Sequence, residues 1–155
     1  MEKGNYNVAL TKLKKAHALD DENFSSHNAL AIFYDTTSND DLARYHYKRA
    51  TVLAPDNPSV LNNYGRFLCQ HGDVKNGFGM LSKAANLPSN HKLWLTYRNV
   101  GQCQVLNGDL VLAENNFLQD IERNDSYGPV FLDLVKLKFS NREFHLARKY
   151  FYRSC

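Results

Sequence analysis

The chain lacks the features that mark several classes of protein. Its 155 residues contain no run of about 18 apolar residues, so no segment is predicted to cross a membrane. The net charge of +3 is small and spread along the chain, which argues against a nucleic-acid partner. The polar residues 1–6 do not form a secretory signal. Three cysteines with no C-x-x-C pair are too few for a disulfide-built scaffold.

Motifs for catalysis and for metal binding are missing as well. The sequence has no G-x-S-x-G, no phosphate-binding loop and no G-x-G-x-x-G. Its six histidines include no i, i+4 pair, and none has metal-ligand spacing to a cysteine or carboxylate cluster. We therefore predict no enzyme activity, no metal ion and no cofactor.

What the chain does contain is a spacing of small and large apolar residues. Residues 24–57 read Phe24-x2-His27-x2-Leu30-Ala31-x2-Tyr34, then Ala43-x3-Tyr47-x2-Ala50-x4-Pro55. Small residues suit positions where two helices cross closely, and large ones fill the gaps beside each crossing. Pro55 ends the second helix because it lacks an N–H. The unit resembles a tetratricopeptide repeat (TPR), a helix–turn–helix unit of about 34 residues, in which His27 would be a core or groove residue.

The same positions recur along the chain. One register holds Ala9, Ala43 and Gly77, a second holds Leu13, Tyr47 and Leu81, and a third holds Ala16, Ala50 and Ala84. Two further copies, the first displaced by two extra residues, place Ala113 and Phe117, then Ala147 and Phe151, in register. We therefore predict an all-α fold, a TPR right-handed superhelix of antiparallel helix pairs.

The array divides into a leading partial repeat and four repeats. Residues 1–23 hold a lone second helix whose packing face carries Ala9, Leu13 and Ala16. The repeats follow at 24–57, 58–93, 94–127 and 128–155, and the last is predicted to have helices at 130–139 and 142–153. Because the chain begins with an unpaired second helix, we expect it to be part of a longer array.

The first helices of a TPR array line a concave surface that commonly binds a peptide or protein. Predicted partner-binding residues on this surface are Asn28, Asn62, Asn63, Arg66, Gln70, Arg98, Asn99 and Gln102. Ile32, Leu132 and Lys136 are also expected to face inward. Asn and Gln can hydrogen-bond a peptide backbone, and Arg can pair with a carboxylate. The alternative is a solvated polar face that binds nothing.

Two segments resemble a particular bacterial family. They are Leu61-Asn62-Asn63-Tyr64-Gly65-Arg66-Phe67-Leu68-Cys69-Gln70-His71-Gly72 and Tyr97-Arg98-Asn99-Val100-Gly101-Gln102-Cys103. They resemble the PilF/PilW type IV pilus biogenesis proteins, outer-membrane lipoproteins that act as pilot proteins for the pilus secretin. The resemblance covers about residues 6–151, although the Glu-Ala that opens second helices in this family is Asn76-Gly77 in the second repeat.

This resemblance implies a non-catalytic scaffold that binds the secretin or another pilus-assembly protein. The full-length protein would lie at the periplasmic face of the outer membrane, held by a lipid anchor outside this chain. Two other functions stay open: a general cytoplasmic TPR adaptor, and a TPR segment that regulates a larger enzyme. The full-length N-terminus would separate them, through a lipid-modified cysteine or a fused catalytic domain.

Cys69 and Cys103 occupy nearly equivalent positions of successive first helices. They differ by two positions in register, which at about 100° per residue turns them to nearly opposite faces. Neighbouring stacked helices meet through such faces, and their Cα atoms are expected about 4–6 Å apart, within disulfide range. In an oxidising compartment a bond should form between them. The alternative is two buried free thiols, and Cys155 is expected to be a free terminal thiol.

Overall fold

The structure, a computed structural model, describes residues 3–124 and 128–154, with side chains from residue 6 onward. The described residues form nine helices and no strand, which confirms the all-α prediction. The helices are α1 Lys3–Leu19, α2 Phe24–Thr36, α3 Asp40–Leu53, α4 Pro58–Gln70, α5 Val74–Ala85, α6 Leu93–Asn107, α7 Leu110–Arg123, α8 Gly128–Ser140 and α9 Phe144–Ser154. The thiol of Cys155 and the predicted end of the third repeat at 125–127 lie outside the described residues.

Asparagine side chains cap the N-termini of two first helices. Asn23 accepts hydrogen bonds from the backbone N–H groups of Ser25 (2.9 Å) and Ser26 (3.2 Å). Asn57 does the same for Ser59 (3.0 Å) and Val60 (3.1 Å). Each cap satisfies N–H groups that have no partner within the helix. Pro58 follows Asn57 at the start of α4, where its missing N–H costs nothing.

The turn inside each repeat contains one residue with left-handed backbone. These residues are Ser38, Gly72, Gly108 and Arg142, with φ angles of 56°, 82°, 85° and 61°. Glycine adopts this conformation without steric cost, whereas serine and arginine are strained there. The predicted start of the last helix at residue 142 is therefore wrong, because a left-handed residue cannot lie within a right-handed helix. The helix begins two residues later, at Phe144.

Helices pair within each repeat and stack between repeats. The closest packing joins α2 to α3, α4 to α5, α6 to α7 and α8 to α9. First helices also contact each other, α2 with α4, α4 with α6 and α6 with α8. Among the described residues, no Cα atom of one second helix lies within 8 Å of a Cα atom of another second helix. The first helices are therefore the more closely spaced layer, and they line the concave side of the array.

Small residues allow the paired helices to approach closely. Ala31, Ala43 and Ala50 are fully buried, as their register predicts. A Cβ added to Gly65 would lie 2.8 Å from Leu81 Cγ, and one added to Gly101 would lie 2.6 Å from the Phe117 ring. Contacts this short mean that a larger side chain at these crossings would force the neighbouring atoms to shift.

The leading helix differs from its prediction in the face that it packs. Leu13 is half-buried as expected, but Ala9 and Ala16 are exposed. Helix α1 instead packs through Leu10 and Leu13 against the hydrophobic core formed by α2, α3 and α4. In the later repeats, the positions equivalent to Ala9 and Ala16 pack against the first helix of their own repeat. Among the described residues, no such first helix packs on this face of α1. None of the described helices is long and apolar enough to cross a membrane.

Candidate partner-binding groove

Polar side chains join neighbouring first helices along the concave side, and we call these contacts the inter-repeat ladder. Asn63 Nδ2 on α4 donates to Asn28 Oδ1 on α2 at 3.2 Å. Arg66 donates to Asp35 Oδ2 at 2.8 Å and to Gln70 Oε1 at 3.2 Å. The charge of Arg66 is therefore balanced within the protein, and its guanidinium both holds α2 to α4 and positions Gln70.

The ladder continues between α6 and α8. Arg98 Nε donates to Asp133 Oδ2 at 2.5 Å, and Gln102 Nε2 donates to the same oxygen at 3.1 Å. Both side chains of the Arg98–Asp133 pair are largely buried, so removing one partner would leave a charge that is poorly solvated. Like Arg66, Arg98 therefore has a structural partner within the array.

Two of the asparagines predicted to bind a partner are almost fully buried. Asn62 and Asn99 are only 3% and 4% exposed. Asn62 Nδ2 donates to Thr96 Oγ1 on α6 at 2.9 Å, so its amide joins α4 to α6. Its Oδ1 has no hydrogen-bond partner among the described residues. The Asn62 amide therefore lies between α4 and α6, where the packing of these two helices removes it from solvent.

A disulfide between Cys69 and Cys103 also joins α4 to α6. The Cα atoms of the two cysteines are 5.4 Å apart, inside the range expected from helix geometry. Both residues are buried, and they form a small core cluster with Leu81. The bond therefore ties the second repeat to the third at the base of the concave surface.

A groove of about 420 Å³ opens over the disulfide, between α4, α6 and α8. Its base is formed by the two cysteines with Phe117 and Leu137, all of them buried. Residues with exposed side chains at its rim are Gln70, Val105, Leu106, Lys136 and Ser140. Apolar side chains thus form the base and one part of the rim, with an amide and a cation beside them. Such a surface suits a short segment of a protein partner.

A buried carboxylate lies in the same region of the array. Asp120 on α7 is fully buried, and neither of its oxygens has a hydrogen-bond partner among the described residues. Burial raises the pKa of Asp120 to about 7, Arg98 opposes the shift, and Asp133 adds to it. Near neutral pH this carboxyl group is therefore partly protonated, which lowers the cost of its burial.

The structure places the eight predicted partner-binding residues in two environments. Arg66, Gln70, Asn99 and Gln102 line the groove over the disulfide, whereas Asn28, Asn62, Asn63 and Arg98 do not. Asn62 and Asn63 instead line a second cavity of about 800 Å³ near the start of α4. Among the described residues, no group of histidine, cysteine, aspartate or glutamate side chains is arranged to hold a metal ion.

Sequence reasoning missed the acidic partners of the two arginines. Asp35 lies 31 residues before Arg66, and Asp133 lies 35 residues after Arg98. A search for opposite charges separated by nearly one repeat period would have found both. Val105 and Leu106 were missed because two exposed apolar residues at the end of a helix carry no distinctive local pattern.

Comparisons with known proteins agree with the pilus resemblance. No protein-family model matches the chain. The chain is 26% identical over 151 residues to the type IV pilus assembly protein PilF of Pseudomonas aeruginosa. The alignment covers 97% of this chain and 60% of PilF, so the chain spans about three fifths of that relative's length.

Solved structures show the fold. The crystal structure of PilW, a widely conserved type IV pilus biogenesis factor, has a TM-score of 0.89 at 24% identity, covering 97% of this chain and 69% of PilW. Pseudomonas aeruginosa PilF has a TM-score of 0.82 at 26% identity, covering 98% and 68%. YrrB, a TPR protein with an unusual peptide-binding site, has a TM-score of 0.65 at 17% identity, covering 97% and 77%. The chain therefore has a TPR fold, and it is similar to PilF in sequence and to both PilF and PilW in structure.

Proposed function

We propose that this chain is a non-catalytic protein-interaction scaffold in type IV pilus biogenesis. The similarity to PilF over 97% of the chain is the observation that carries the proposal. The groove between α4, α6 and α8 supplies a surface on which a partner segment can bind. Its exposed apolar residues are flanked by polar groups, which is the composition of a protein-recognition site.

The partner that we propose is the pilus secretin or another pilus-assembly protein. We also propose that the full-length protein works at the periplasmic face of the outer membrane, with a lipid anchor outside this chain. The Cys69–Cys103 bond supports an oxidising compartment, because disulfides persist there and are rare in the cytosol. No observation specifically favours the alternatives of a cytoplasmic adaptor or a regulatory segment of an enzyme.

A single substitution at the groove rim tests the proposal. Leu106 is 56% exposed at the rim, and Leu112, 51% exposed on α7, does not line the groove. In the full-length protein, Leu106→Asp should reduce both secretin capture and the number of surface pili by about 10-fold, because it places a charge where an apolar contact forms. The matched variant Leu112→Asp should stay within about two-fold of wild type.

The readouts are secretin multimers recovered with the protein and surface pili on a strain complemented with each variant. Circular dichroism of each purified variant controls for folding. A folded Leu106→Asp variant with wild-type capture and piliation would place partner binding elsewhere on the protein.

A further inference from the structure

The charges at the groove over the disulfide are balanced within the protein except at one position. Arg66 is paired with Asp35 at 2.8 Å, and Asp133 is paired with Arg98 at 2.5 Å. Lys136 on α8 is exposed at the rim, and no ion pair joins it to another described residue. The groove therefore presents one uncompensated positive charge to a ligand.

The apolar part of the groove lies close to this charge. Val105 and Leu106 are exposed on the last turn of α6, and Leu137 follows Lys136 directly on α8. Binding is favoured when a partner side chain removes these exposed apolar groups from water. A carboxylate on the same partner can form an ion pair with the ammonium group beside them. The apolar contact excludes water from this pair, which strengthens the attraction between the two charges.

From this combination we infer that the groove takes an internal segment of a protein partner in which a large apolar side chain lies next to an aspartate or glutamate. The apolar side chain packs on Val105, Leu106 and Leu137, and the carboxylate pairs with Lys136. The inference rests on the proposed function and names the chemistry of the partner segment. The groove is open to solvent and is not an enclosed pocket, which suits a segment that continues in both directions.

The size of the groove agrees with a short anchor. A volume of about 420 Å³ is in the range of about 300–1,000 Å³ that is typical of small-ligand sites. It accommodates a few side chains and leaves the rest of a longer partner outside. A lysine acts as a point charge on a flexible stem, so it selects for negative charge without demanding the geometry of a particular carboxylate.

Three peptides with acetylated and amidated ends test the inference by fluorescence anisotropy against the full chain. Their central residues are Leu-Leu-Asp, Leu-Leu-Lys and Ser-Ser-Asp. The first should bind at least about 5-fold more tightly than either of the others, because only it supplies both the apolar and the acidic contact. Lys136→Glu should reverse the preference, so that the lysine peptide binds more tightly than the aspartate peptide.

Lys75→Glu is the matched control, since Lys75 is exposed on α5, away from the groove, and the substitution changes the net charge equally. It should leave the order of the three peptides unchanged. Equal affinity for all three peptides, no binding of any of them, or an unchanged order in Lys136→Glu would overturn the inference. Tighter binding of a Leu-Leu-Ser peptide with a free C-terminal carboxylate would overturn the choice of an internal segment.

The two proposals fail in different ways. If Leu106→Asp abolishes secretin capture while Lys136→Glu leaves it unchanged, the groove binds the partner but the carboxylate contact is rejected. If the peptides bind as expected while Leu106→Asp leaves capture and piliation intact, the groove binds acidic segments but is not the site that pilus assembly uses.

Discussion

At the scale of single residues, two glycines in one helix have opposite surroundings. Gly77 faces α4, and a Cβ added there would lie 2.8 Å from the Gly65 carbonyl oxygen and 3.0 Å from the Cys69 nitrogen. Gly79 is exposed, and a Cβ added there would meet nothing within 4 Å. The close crossing explains Gly77, while nothing in the packing requires a glycine at position 79.

The same substitution should therefore change stability in opposite directions at these two positions. Gly79→Ala should raise the free energy of unfolding by about 0.5–1 kcal/mol, because alanine favours the helix over the unfolded chain. Gly77→Ala should lower it by about 1–3 kcal/mol through overpacking against α4. Urea unfolding monitored by circular dichroism measures both, and a shift of the same sign for both variants would contradict this account.

At the scale of helices, three histidines join α1, α2 and α3. The ring centroids of His17 and His27 are 4.5 Å apart, and those of His27 and His46 are 5.0 Å apart. The Nδ1 atoms of His27 and His46 lie 2.8 Å from each other, and His27 Nε2 faces the Asp21 carbonyl oxygen at 2.9 Å. His27 is buried, in agreement with its prediction as a core or groove residue. With one donor and one acceptor between them, these two imidazoles fit together only while at least one is neutral.

The surroundings of the cluster favour the neutral imidazoles. Burial, together with the neighbouring charges of His27 and His17, lowers the pKa of His46 to about 4. Burial also lowers the pKa of His27, with contributions from His17 and Arg49, while the Asp21 carbonyl opposes the shift. Tyr34 stacks on the His46 ring and Tyr45 packs edge-on against it.

Acidification should therefore loosen α1–α3. The unfolded chain binds a proton at position 46 below about pH 6.5, whereas the folded chain does so only near pH 4, so stability falls as the pH drops through this window. The loss should reach about 2–3 kcal/mol at pH 4. Hydrogen exchange of amides in α1–α3 between pH 7 and pH 4 measures it, after correction for the intrinsic exchange rate.

Two comparisons make the pH prediction specific. His46→Leu should reduce the pH dependence, whereas His145→Leu, at an exposed position on α9, should not. Helices α6–α8 should show the opposite trend, because the raised pKa of Asp120 makes the folded state bind a proton that the unfolded state releases between about pH 4 and pH 7. Equal pH dependence in both halves of the array would refute the assignment to these residues.

At the scale of the whole molecule, each repeat packs against the adjacent repeats of the array. Separate core clusters lie around α2–α4, around the disulfide and around α7–α8. In such an array stability is approximately a sum of repeat and interface terms. The Cys69–Cys103 bond, between residues 34 positions apart, therefore stabilises mainly the interface between the second and third repeats.

Removal of the disulfide should allow the two parts of the array on either side of it to unfold separately. The double variant Cys69→Ser, Cys103→Ser should lose about 3–4 kcal/mol of stability and unfold in two steps, while Cys155→Ser should behave like wild type. Thiol counting on unfolded, unreduced protein should find one reactive thiol among the three cysteines. Three reactive thiols after mild oxidation, or one cooperative transition of unchanged midpoint in the double variant, would contradict the prediction.

Local sequence features determined the helices and the fold class. Caps, Pro58 and the recurring alanines act within one turn or one helix pair, so the helix bounds follow from nearby residues. The starts of α8 and α9 are exceptions, since each differs from its prediction by two residues. Arg142 stands in the register of the turn glycines Gly72 and Gly108, but arginine rarely adopts a left-handed conformation, so its residue type gives no local signal for the turn. The 5.4 Å Cα separation of Cys69 and Cys103 also follows from register and regular helix geometry.

Only the tertiary structure decided which polar side chains reach the groove. Asn62 and Gln70 lie on the same first helix, yet Asn62 is buried against Thr96 and Gln70 is exposed at the rim. The difference depends on the rotation of α4 relative to α6, which is set by the packing of many side chains and cannot be read from spacing within one helix. The convergence of His17, His27 and His46 from three helices depends in the same way on how those helices pack.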